Sequence, residues 1–390
     1  MASSIQHIYC LDSQYAMARV AFGRKERSGV IDLDGNFILE PKYTFIAGWG
    51  GRYMYVSKEK QKHRIWDAER RAFLDDILGR TITDVNYVKG ASTLTFREGR
   101  RYGICDEAGS TIIPAQFDYI HVFGRGYVAD GKKGFLLLGP TGEVLIPEIY
   151  DELVNFARYY YSDRVQGIDW NYDIVPARLG NEWFYVDRTG KRISERTYAS
   201  IEPFTTGGYA IFKNRKGRCG IIDKDENILV PARYDRFDWE GESILSCQVR
   251  GRVFLVNPLG EKLLKQNIGY AGLNRNSVCG KFNHHLALWW WIPATGLFQR
   301  SDFKELTPRS FQLTPTKDYV IVTQYAHTIE HADYTLASQD GKLLFERFYD
   351  GIDTSANPDR IFVKEGKKWF LLNAKEEILK EIEYPDLERL

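Results

Sequence analysis

The sequence has no excess of charge of either sign. Its 390 residues include 53 lysines and arginines against 52 aspartates and glutamates, and the two signs are interspersed along the chain. Proteins that bind nucleic acid or an anionic membrane concentrate positive charge on one face. We therefore expect neither nucleic acid nor a membrane among the partners.

Cysteines and long apolar runs are also scarce. The five cysteines (Cys10, Cys105, Cys219, Cys247 and Cys279) are odd in number and form no Cys-x-x-Cys pair, which favours free thiols over a disulfide framework. No apolar run is long enough to span a bilayer, and the first residues lack the basic and apolar regions of a secretory signal. These absences predict a cytoplasmic location.

Aromatic residues, by contrast, are abundant. The chain contains 24 Tyr, 22 Phe and 9 Trp, residues that favour strands. With 390 residues, the chain exceeds the size at which a single hydrophobic core usually stops growing, so it is either a set of domains or a repeat array.

An internal repeat favours a repeat array over a set of separate domains. Residues 28–43, 102–118 and 219–235 share one template. The first half of the template is an aromatic or small residue, Gly, two apolar residues and Asp. Two polar residues and a Gly form its turn. The second half is a polar residue, two or three apolar residues, often a Pro, and then an aromatic residue followed by Asp. With weaker copies included, the turn position recurs every 33 to 48 residues, at Gly35, Arg70, Gly109, Gly142, Gly190, Glu226, Gly260, Gly296, Gly341 and Glu376.

Each copy has the pattern of a β-hairpin. Two apolar runs flank a tight turn whose glycine supplies a positive φ, and a proline such as Pro114 ends the second strand. A lone hairpin cannot bury its apolar face, so the copies must pack on one another.

The sequence thus predicts an all-β tandem array of about ten degenerate antiparallel hairpin units. The array occupies residues 28–390, after an N-terminal cap strand in residues 1–27. An open superhelix, a two-lobed array and a propeller-like ring all remain compatible with the periodicity. The predicted units begin near residues 28, 63, 102, 134, 183, 219, 253, 289, 334 and 369.

Over residues 28–390 the template resembles that of the bacterial WG-repeat family. The sequence departs from the family at its namesake Trp-Gly pair. Tyr102-Gly103 and Cys219-Gly220 keep the glycine, whereas Trp183-Phe184 keeps the tryptophan. The resemblance implies an all-β repeat protein from a bacterium, often without known catalytic activity, and it transfers no functional residue.

The strongest enzymatic motif is His327-Thr328-Ile329-Glu330-His331. On a helix, an H-x-x-E-H string can bind zinc through both histidines while the glutamate activates water. Here the flanking residues 319–323 and 332–336 have the composition of strands, so we predict a polar loop. His327 and His331 are weak metal candidates, and no cofactor is expected.

An aspartate precedes the turn in many copies. A row of such carboxylates could bind Ca²⁺ or serve in acid catalysis, but an Asx-type hydrogen bond to the turn backbone explains the fixed position more simply. We predict this structural role for Asp32, Asp67, Asp106, Asp187 and Asp223.

Candidate binding residues come from aromatic clusters and from segments that interrupt the repeat. Extra residues lie between Tyr150 and Asn181 and after Gly296; in repeat proteins such insertions map to one face, commonly the binding face. Aromatic side chains are frequent anchors for partners. The predicted partner-binding residues are Tyr159, Tyr160, Tyr161, Trp170, Tyr172, Trp289, Trp291 and Tyr325.

These observations favour a non-catalytic protein that binds another protein. A narrower hypothesis is an immunity protein that covers the active site of a secreted antibacterial toxin domain. One alternative is a module that binds glycans or cell wall through exposed aromatic residues. Another is a zinc hydrolase centred on His327 and His331.

Overall fold

The structure is a computed structural model. It describes residues 4–11, 14–49, 51–58, 63–88, 91–154, 170–241, 243–264, 277–281, 286–292, 297–304, 306, 311–316, 318–325, 332–354 and 357–383. Within these ranges the chain forms 36 strands in ten antiparallel sheets and one helix, α1 (Leu74–Leu78). The predicted all-β class and the array of about ten antiparallel units are confirmed. No helix in these ranges is long and apolar enough to cross a membrane.

One compact unit combines the two ends of the chain; it comprises Met1–Gly79, Asn274–Ile292 and Gln299–Leu390. We number the sheets in chain order, and this unit holds five of them. Sheet 1 contains β1 (Ser4–Cys10), β2 (Tyr15–Phe22), β3 (Lys25–Asp32) and β4 (Phe37–Tyr43), and sheet 2 contains β5 (Phe45–Trp49), β6 (Tyr53–Ser57), β7 (His63–Asp67) and β8 (Ala72–Phe73). Sheet 8 contains β27 (Ser277–Lys281), β28 (Leu286–Ile292) and β29 (Leu297–Phe303), sheet 9 contains β30 (Phe311–Pro315), β31 (Tyr319–Tyr325) and β32 (Ala332–Ser338), and sheet 10 contains β33 (Gly351–Thr354), β34 (Ile361–Glu365), β35 (Lys368–Leu372) and β36 (Ile378–Ile382).

The second compact unit comprises Arg80–Leu273 and Pro293–Phe298. It contains the other five sheets. Sheet 3 contains β9 (Thr81–Val88), β10 (Ala91–Glu98), β11 (Arg101–Asp106) and β12 (Thr111–Phe117), and sheet 4 contains β13 (Ile120–Phe123), β14 (Gly126–Asp130), β15 (Phe135–Leu138) and β16 (Val144–Tyr150). Sheet 5 contains β17 (Glu152–Leu153), β18 (Ile174–Leu179) and β19 (Glu182–Asp187), sheet 6 contains β20 (Ser200–Ile201), β21 (Tyr209–Lys213), β22 (Cys219–Asp223) and β23 (Ile228–Tyr234), and sheet 7 contains β24 (Arg236–Gly241), β25 (Ile244–Val249) and β26 (Arg252–Val256).

The repeated turn follows the third strand of a sheet and needs a left-handed residue. Glycine supplies it in six sheets, whereas Glu226 (φ 59°) and Glu376 (φ 65°) adopt the same conformation, which carries a steric cost for residues with a Cβ. In sheet 2 the left-handed residue is Arg71, one position after the predicted Arg70. Gly296 lies outside the described residues. The six glycines are Gly35, Gly109, Gly142, Gly190, Gly260 and Gly341.

The aspartate before the turn is structural, as predicted. The Asp106 carboxylate accepts hydrogen bonds from the backbone amides of Ala108 at 2.9 Å and Ser110 at 2.7 Å. Equivalent bonds reach Asp32, Asp187 and Asp223. The buried Asp67 accepts from two turn amides and from the guanidinium of Arg52. The carboxylates therefore satisfy backbone donors that the turn leaves unpaired.

The template glycine lies six residues before the turn. It allows the third and fourth strands of a sheet to approach closely. A Cβ added at Gly29, Gly103 or Gly220 would lie 2.5 Å from a carbonyl oxygen of the next strand. In these sheets the fourth strand contains a proline and shifts register beside that glycine. Sheet 4 keeps the shift and its proline although Leu136 occupies the glycine position.

Phenylalanine replaces this glycine in three sheets, and the fourth strand changes with it. In the sheets that contain Phe184 and Phe254, isolated β-bridges occupy the place of a fourth strand. The basic groups of Arg192 and Lys262 stack on these two rings, at 4.2 and 3.9 Å from the ring centroids. Beside Phe370, β36 pairs with β35 and shows no shift at that position. The repeat thus occurs in a glycine form and a phenylalanine form.

Successive sheets of one unit pack face to face. In the unit that holds both chain ends, Phe362 and Ile382 of sheet 10 share a core with Ile8 and Ile31 of sheet 1. The ammonium of Lys380 also donates to the carbonyl oxygen of Asp34 at 2.8 Å. The first and last sheets of the chain are therefore direct neighbours.

Tyrosines in the aromatic-Asp segment connect consecutive sheets. The Tyr150 hydroxyl donates to the carbonyl oxygen of Gly190 in the turn of the next sheet, at 2.6 Å. Where glutamate occupies the turn, the tyrosine donates to its carboxylate instead: Tyr198 to Glu226 and Tyr349 to Glu376, both at 2.8 Å. The turn and the aromatic residue of the template thus form one joint between neighbouring units.

Candidate partner-binding surface

The first strand of the chain presents aromatic residues away from the core. In β1, Ile5 and Ile8 are buried, whereas His7 and Tyr9 are exposed. Tyr9 is 40% exposed, and its ring stacks on His7 at a centroid distance of 5.7 Å. The Arg19 guanidinium lies 6.0 Å from the Tyr9 ring centroid. His7 and Arg19 therefore flank the exposed ring of Tyr9.

Sheet 9 contributes a second exposed tyrosine in the same compact unit. Tyr325, at the end of β31, is 36% exposed and its hydroxyl donates to the Gln312 side chain. Burial raises the pKa of the nearby Tyr334, and the phenols of Tyr325 and Tyr9 raise it further. Tyr325 and Tyr334 lie on neighbouring strands of sheet 9, and Tyr9 lies in the same compact unit.

We call this group the tyrosine surface. It consists of His7, Tyr9, Arg19, Gln312, Tyr325 and Tyr334.

The tyrosine surface combines aromatic area with hydrogen-bonding groups. Partial desolvation lowers the pKa of His7, and the positive charges of Lys364 and Arg19 lower it further. Phenol, imidazole and amide groups can each exchange hydrogen bonds with a partner while the rings supply apolar contact. The arrangement suits recognition.

Trp170 and Tyr172, two of the predicted binding residues, pack on their own chain. The Tyr172 hydroxyl donates to the carbonyl oxygen of Leu138 at 3.2 Å. Its ring fills a slot in sheet 4, because a Cβ added at Gly126 would lie 2.4 Å from the Tyr172 hydroxyl oxygen. Trp170 bridges to Thr205 and packs on two hydrophobic cores. Both side chains are partly buried.

The tryptophan run lies in β28. Trp289 is buried, with 6% of its surface exposed, and the Arg300 guanidinium lies 5.4 Å from its ring centroid. Trp290 is buried as well and donates from its indole to the carbonyl oxygen of Gln339 at 3.2 Å. Trp291 is partly buried. Of the predicted binding residues that the structure describes, Tyr325 is the most exposed.

Several predicted positions lie outside the described residues. They are Tyr159, Tyr160, Tyr161, His327 and His331. In the described ranges, no group of three or more His, Cys, Asp or Glu residues could hold a metal ion. Cys105 and Cys247, two of the cysteines described there, are buried free thiols.

Sequence reasoning missed His7, Tyr9, Gln312 and Tyr334. More than 300 residues of sequence separate Tyr9 from Tyr334, and no local pattern indicates that the first strand lies near sheets 9 and 10. Alternation of Ile5 and Ile8 with polar positions could have predicted an outward face for β1. Its partner across the surface could not be inferred.

Comparison with known proteins identifies the repeat. The family described as "WG containing repeat" matches residues 29–50, 102–129 and 183–217. Three segments of the chain therefore match the WG repeat. No curated protein matches its sequence.

Solved structures similar to this chain are distant. A eukaryotic initiation factor shares 9% identity at a TM-score of 0.41, covering 84% of this chain and 94% of its own. Hsv2 of Kluyveromyces lactis shares 10% identity at 0.31, covering 77% and 99%. PorZ of Porphyromonas gingivalis shares 11% at 0.30, covering 99% of this chain and 52% of its own.

Two of the matched segments coincide with the glycine form of the WG repeat. Residues 29–50 begin at Gly29 in sheet 1, and residues 102–129 include Gly103 and the shifted strand β12. The third segment, 183–217, contains Phe184 at the glycine position. The family pattern therefore tolerates the phenylalanine form.

Proposed function

We propose that this protein is a non-catalytic binding protein and that its tyrosine surface contacts another protein. The observation that carries the proposal is the exposure of Tyr9 (40%) and Tyr325 (36%); the Tyr9 ring stacks on His7, and the Tyr325 hydroxyl donates to Gln312. Tyrosine is enriched at energetically dominant interface positions because it buries a large rigid ring and keeps a polar tip. Pre-positioned rings also lose little conformational entropy on binding.

A double variant tests the proposal. Protein carrying Tyr9→Ala and Tyr325→Ala would be compared with wild type for capture of a stoichiometric partner from its source cells. Since truncating two anchors commonly costs about 1 to 2 kcal/mol each, we expect affinity to fall between about thirtyfold and a thousandfold.

The matched control is a double variant in the other compact unit. Val144→Ala and Leu179→Ala remove side chains that are 58% and 55% exposed, and we expect partner affinity to be unchanged. Equal capture by both double variants, or no stoichiometric protein partner of the wild type, would contradict the proposal.

The narrower hypothesis is that the partner is a toxin domain whose active site the protein covers. It rests on the proposed binding role. An equimolar amount of wild-type protein should then abolish the catalytic activity of the captured partner, and the tyrosine double variant should not. A captured partner that keeps its activity when saturated would contradict the toxin hypothesis and leave the binding role intact.

A further inference from the structure

Two neighbouring hairpins in the second compact unit concentrate positive charge. The hairpin that joins β21 and β22 in sheet 6 reads Lys-Asn-Arg-Lys-Gly-Arg over residues 213–218, and the hairpin that joins β25 and β26 in sheet 7 reads Arg-Gly-Arg over residues 250–252. Charges of both signs are interspersed along the chain as a whole, but these two segments contain no acidic residue. We call their basic residues the basic surface: Lys213, Arg215, Lys216, Arg218, Arg250 and Arg252.

A single carboxylate brings the two hairpins together. Asp235, which follows β23, pairs with the guanidinium of Arg218 in the hairpin of sheet 6. The same carboxylate accepts a hydrogen bond from the backbone amide of Arg250 in the hairpin of sheet 7, at 2.7 Å. Sheets 6 and 7 also share a hydrophobic core. The basic residues of the two hairpins therefore form one continuous surface.

Carboxylates neutralise only part of the basic surface. Glu182 of sheet 5 pairs with Arg215 at 3.1 Å, although 84% of the Arg215 side chain stays exposed, and Asp235 pairs with Arg218. Exposed ion pairs of this kind are weak, and surplus charge of one sign attracts a partner of the other. Within the part of the chain that the structure describes, the exposed cations without a carboxylate partner are Lys216, Arg250 and Arg252.

The opposite end of these sheets has acidic residues, but they suit a second copy of the chain poorly. The five residues of β22 separate the two ends by about 17 Å. At the far end, Asp187 and Asp223 already accept hydrogen bonds from the backbone amides of their own turns. Glu226 is buried. These carboxylates are therefore poorly placed to pair with the basic surface of another copy.

A nucleic acid also fits the basic surface poorly. A duplex carries one phosphate charge about every 1.7 Å along its axis, so its backbone would approach the exposed carboxylates of Glu182 (51%) and Asp235 (36%) as well as the cations. Proteins that bind single strands use aromatic side chains on which bases stack, and neither hairpin contains an aromatic residue. An acidic polypeptide can place its carboxylates beside the cations and leave gaps at the two carboxylates.

We infer that the basic surface binds an acidic segment of another protein. The carboxylates of this segment pair with the exposed cations of both hairpins, and the planar fork of an arginine matches a carboxylate through two parallel hydrogen bonds. The basic surface belongs to the compact unit that does not contain the tyrosine surface. Each surface can therefore be tested without the other.

A charge-reversal double variant of the full chain tests the inference. Lys216→Glu and Arg252→Glu reverse one exposed cation in each hairpin. The matched control is Lys191→Glu with Lys224→Glu, which makes the same change in net charge in exposed turns at the opposite end of sheets 5 and 6. Binding to a fluorescein-labelled oligo-glutamate peptide would be measured by fluorescence anisotropy, with an oligo-glutamine peptide of equal length as the reference.

We expect the wild type to bind oligo-glutamate and not oligo-glutamine. Raising the salt from about 0.1 M to about 1 M shortens the screening length from about 10 Å to about 3 Å and should abolish this binding. Reversal of the two hairpin cations should lower the affinity about tenfold, and the control variant should keep the wild-type affinity. An unchanged circular dichroism melt confirms that both variants fold.

Each of four outcomes would overturn the inference. They are absence of binding to oligo-glutamate, an equal loss of affinity in the two double variants, tighter binding to a single-stranded DNA oligonucleotide than to oligo-glutamate, and self-association of the wild type that the hairpin variant abolishes.

Discussion

Sheets 6 and 10 have nearly the same turn and different edges. Each places a glutamate in the left-handed conformation, Glu226 or Glu376, and each glutamate accepts a hydrogen bond from a tyrosine of the preceding sheet. The side chain of the residue before the turn, Asp223 or Asn373, accepts hydrogen bonds from the backbone amides two and four residues later in its own sheet. The joint between sheets therefore survives the loss of the turn glycine.

The fourth strands of the two sheets differ beside the template glycine position. Sheet 6 has Gly220, and its fourth strand approaches closely and shifts at Pro231. Sheet 10 has Phe370, and its fourth strand runs without that shift. The comparison indicates that the turn and the tyrosine connect neighbouring sheets in both cases, whereas the course of the fourth strand differs between the two sheets.

The largest expected effect comes from adding a side chain to the glycine form. In Gly220→Ala the new Cβ would meet the Val230 carbonyl oxygen at 2.5 Å and the Phe212 ring at 2.6 Å. We expect the opening free energy of β22 and β23 to fall by about 2 to 3 kcal/mol, measured by native-state hydrogen exchange.

The control is Gly241→Ala in sheet 7, where the added Cβ has no atom within 4 Å. Its effect should stay within about 0.5 kcal/mol. Equal exchange behaviour of the two variants would refute the steric role of Gly220.

A smaller effect is expected from removing the glutamate of the sheet 10 joint. The Glu376 carboxylate accepts hydrogen bonds from the Tyr349 hydroxyl and from the amides of Glu346 and Arg347. Glu376→Ala keeps a Cβ in the left-handed conformation and deletes these bonds, so we expect a loss of about 2 kcal/mol in the opening free energy of β35 and β36. Lys375→Ala, an exposed change in the same turn, should have little effect. If Glu376→Ala behaves like Lys375→Ala, the joint does not stabilise the stacking.

The smallest effect concerns pH. Burial raises the pKa of Asp223, but hydrogen bonds from the Asn227 side chain and from the amides of Asn227 and Asp225 outweigh it, so the pKa is lower than usual. A lowered pKa in the folded state gives stability that is present above the unfolded-state pKa, about 3.9, and is lost as the pH falls through the folded-state value. Asn373, the residue at the same position in sheet 10, has an amide side chain that does not titrate.

We therefore expect exchange protection of the Asn227 amide to decline on acidification more than that of Glu377, its counterpart in sheet 10. Asp223→Asn should remove the difference. Parallel declines at both amides in the wild type would contradict this assignment.

Local features of the fold were predictable from the sequence. The Asx hydrogen bonds follow from an aspartate at a fixed distance before the turn, and most turn positions follow from glycine at the repeat interval. Both depend on residues fewer than five positions apart. The copies without glycine at Glu226 and Glu376 were located by interval alone, and the roles of their carboxylates could not be foreseen because the tyrosines belong to the preceding unit.

The candidate site was less predictable because its contacts are distant in sequence. Tyr325 was selected for its place in a long unit, yet its neighbour Tyr9 lies in a strand at the other end of the chain. Trp170 and Tyr172 were selected as aromatic residues in an insertion. The slot that receives Tyr172 depends on Gly124 and Gly126, two glycines whose role appears only once sheet 4 is folded.

The tyrosine surface is tested most directly by a hydrogen-exchange footprint of the full chain with its captured partner. We expect slowed exchange in β1, β31 and β32 around Tyr9, Tyr325 and Tyr334, with no change in β18 and β19. Protection confined to the unit that contains sheets 3 to 7, with β1 and β31 unchanged, would contradict the assignment of the tyrosine surface as the binding site.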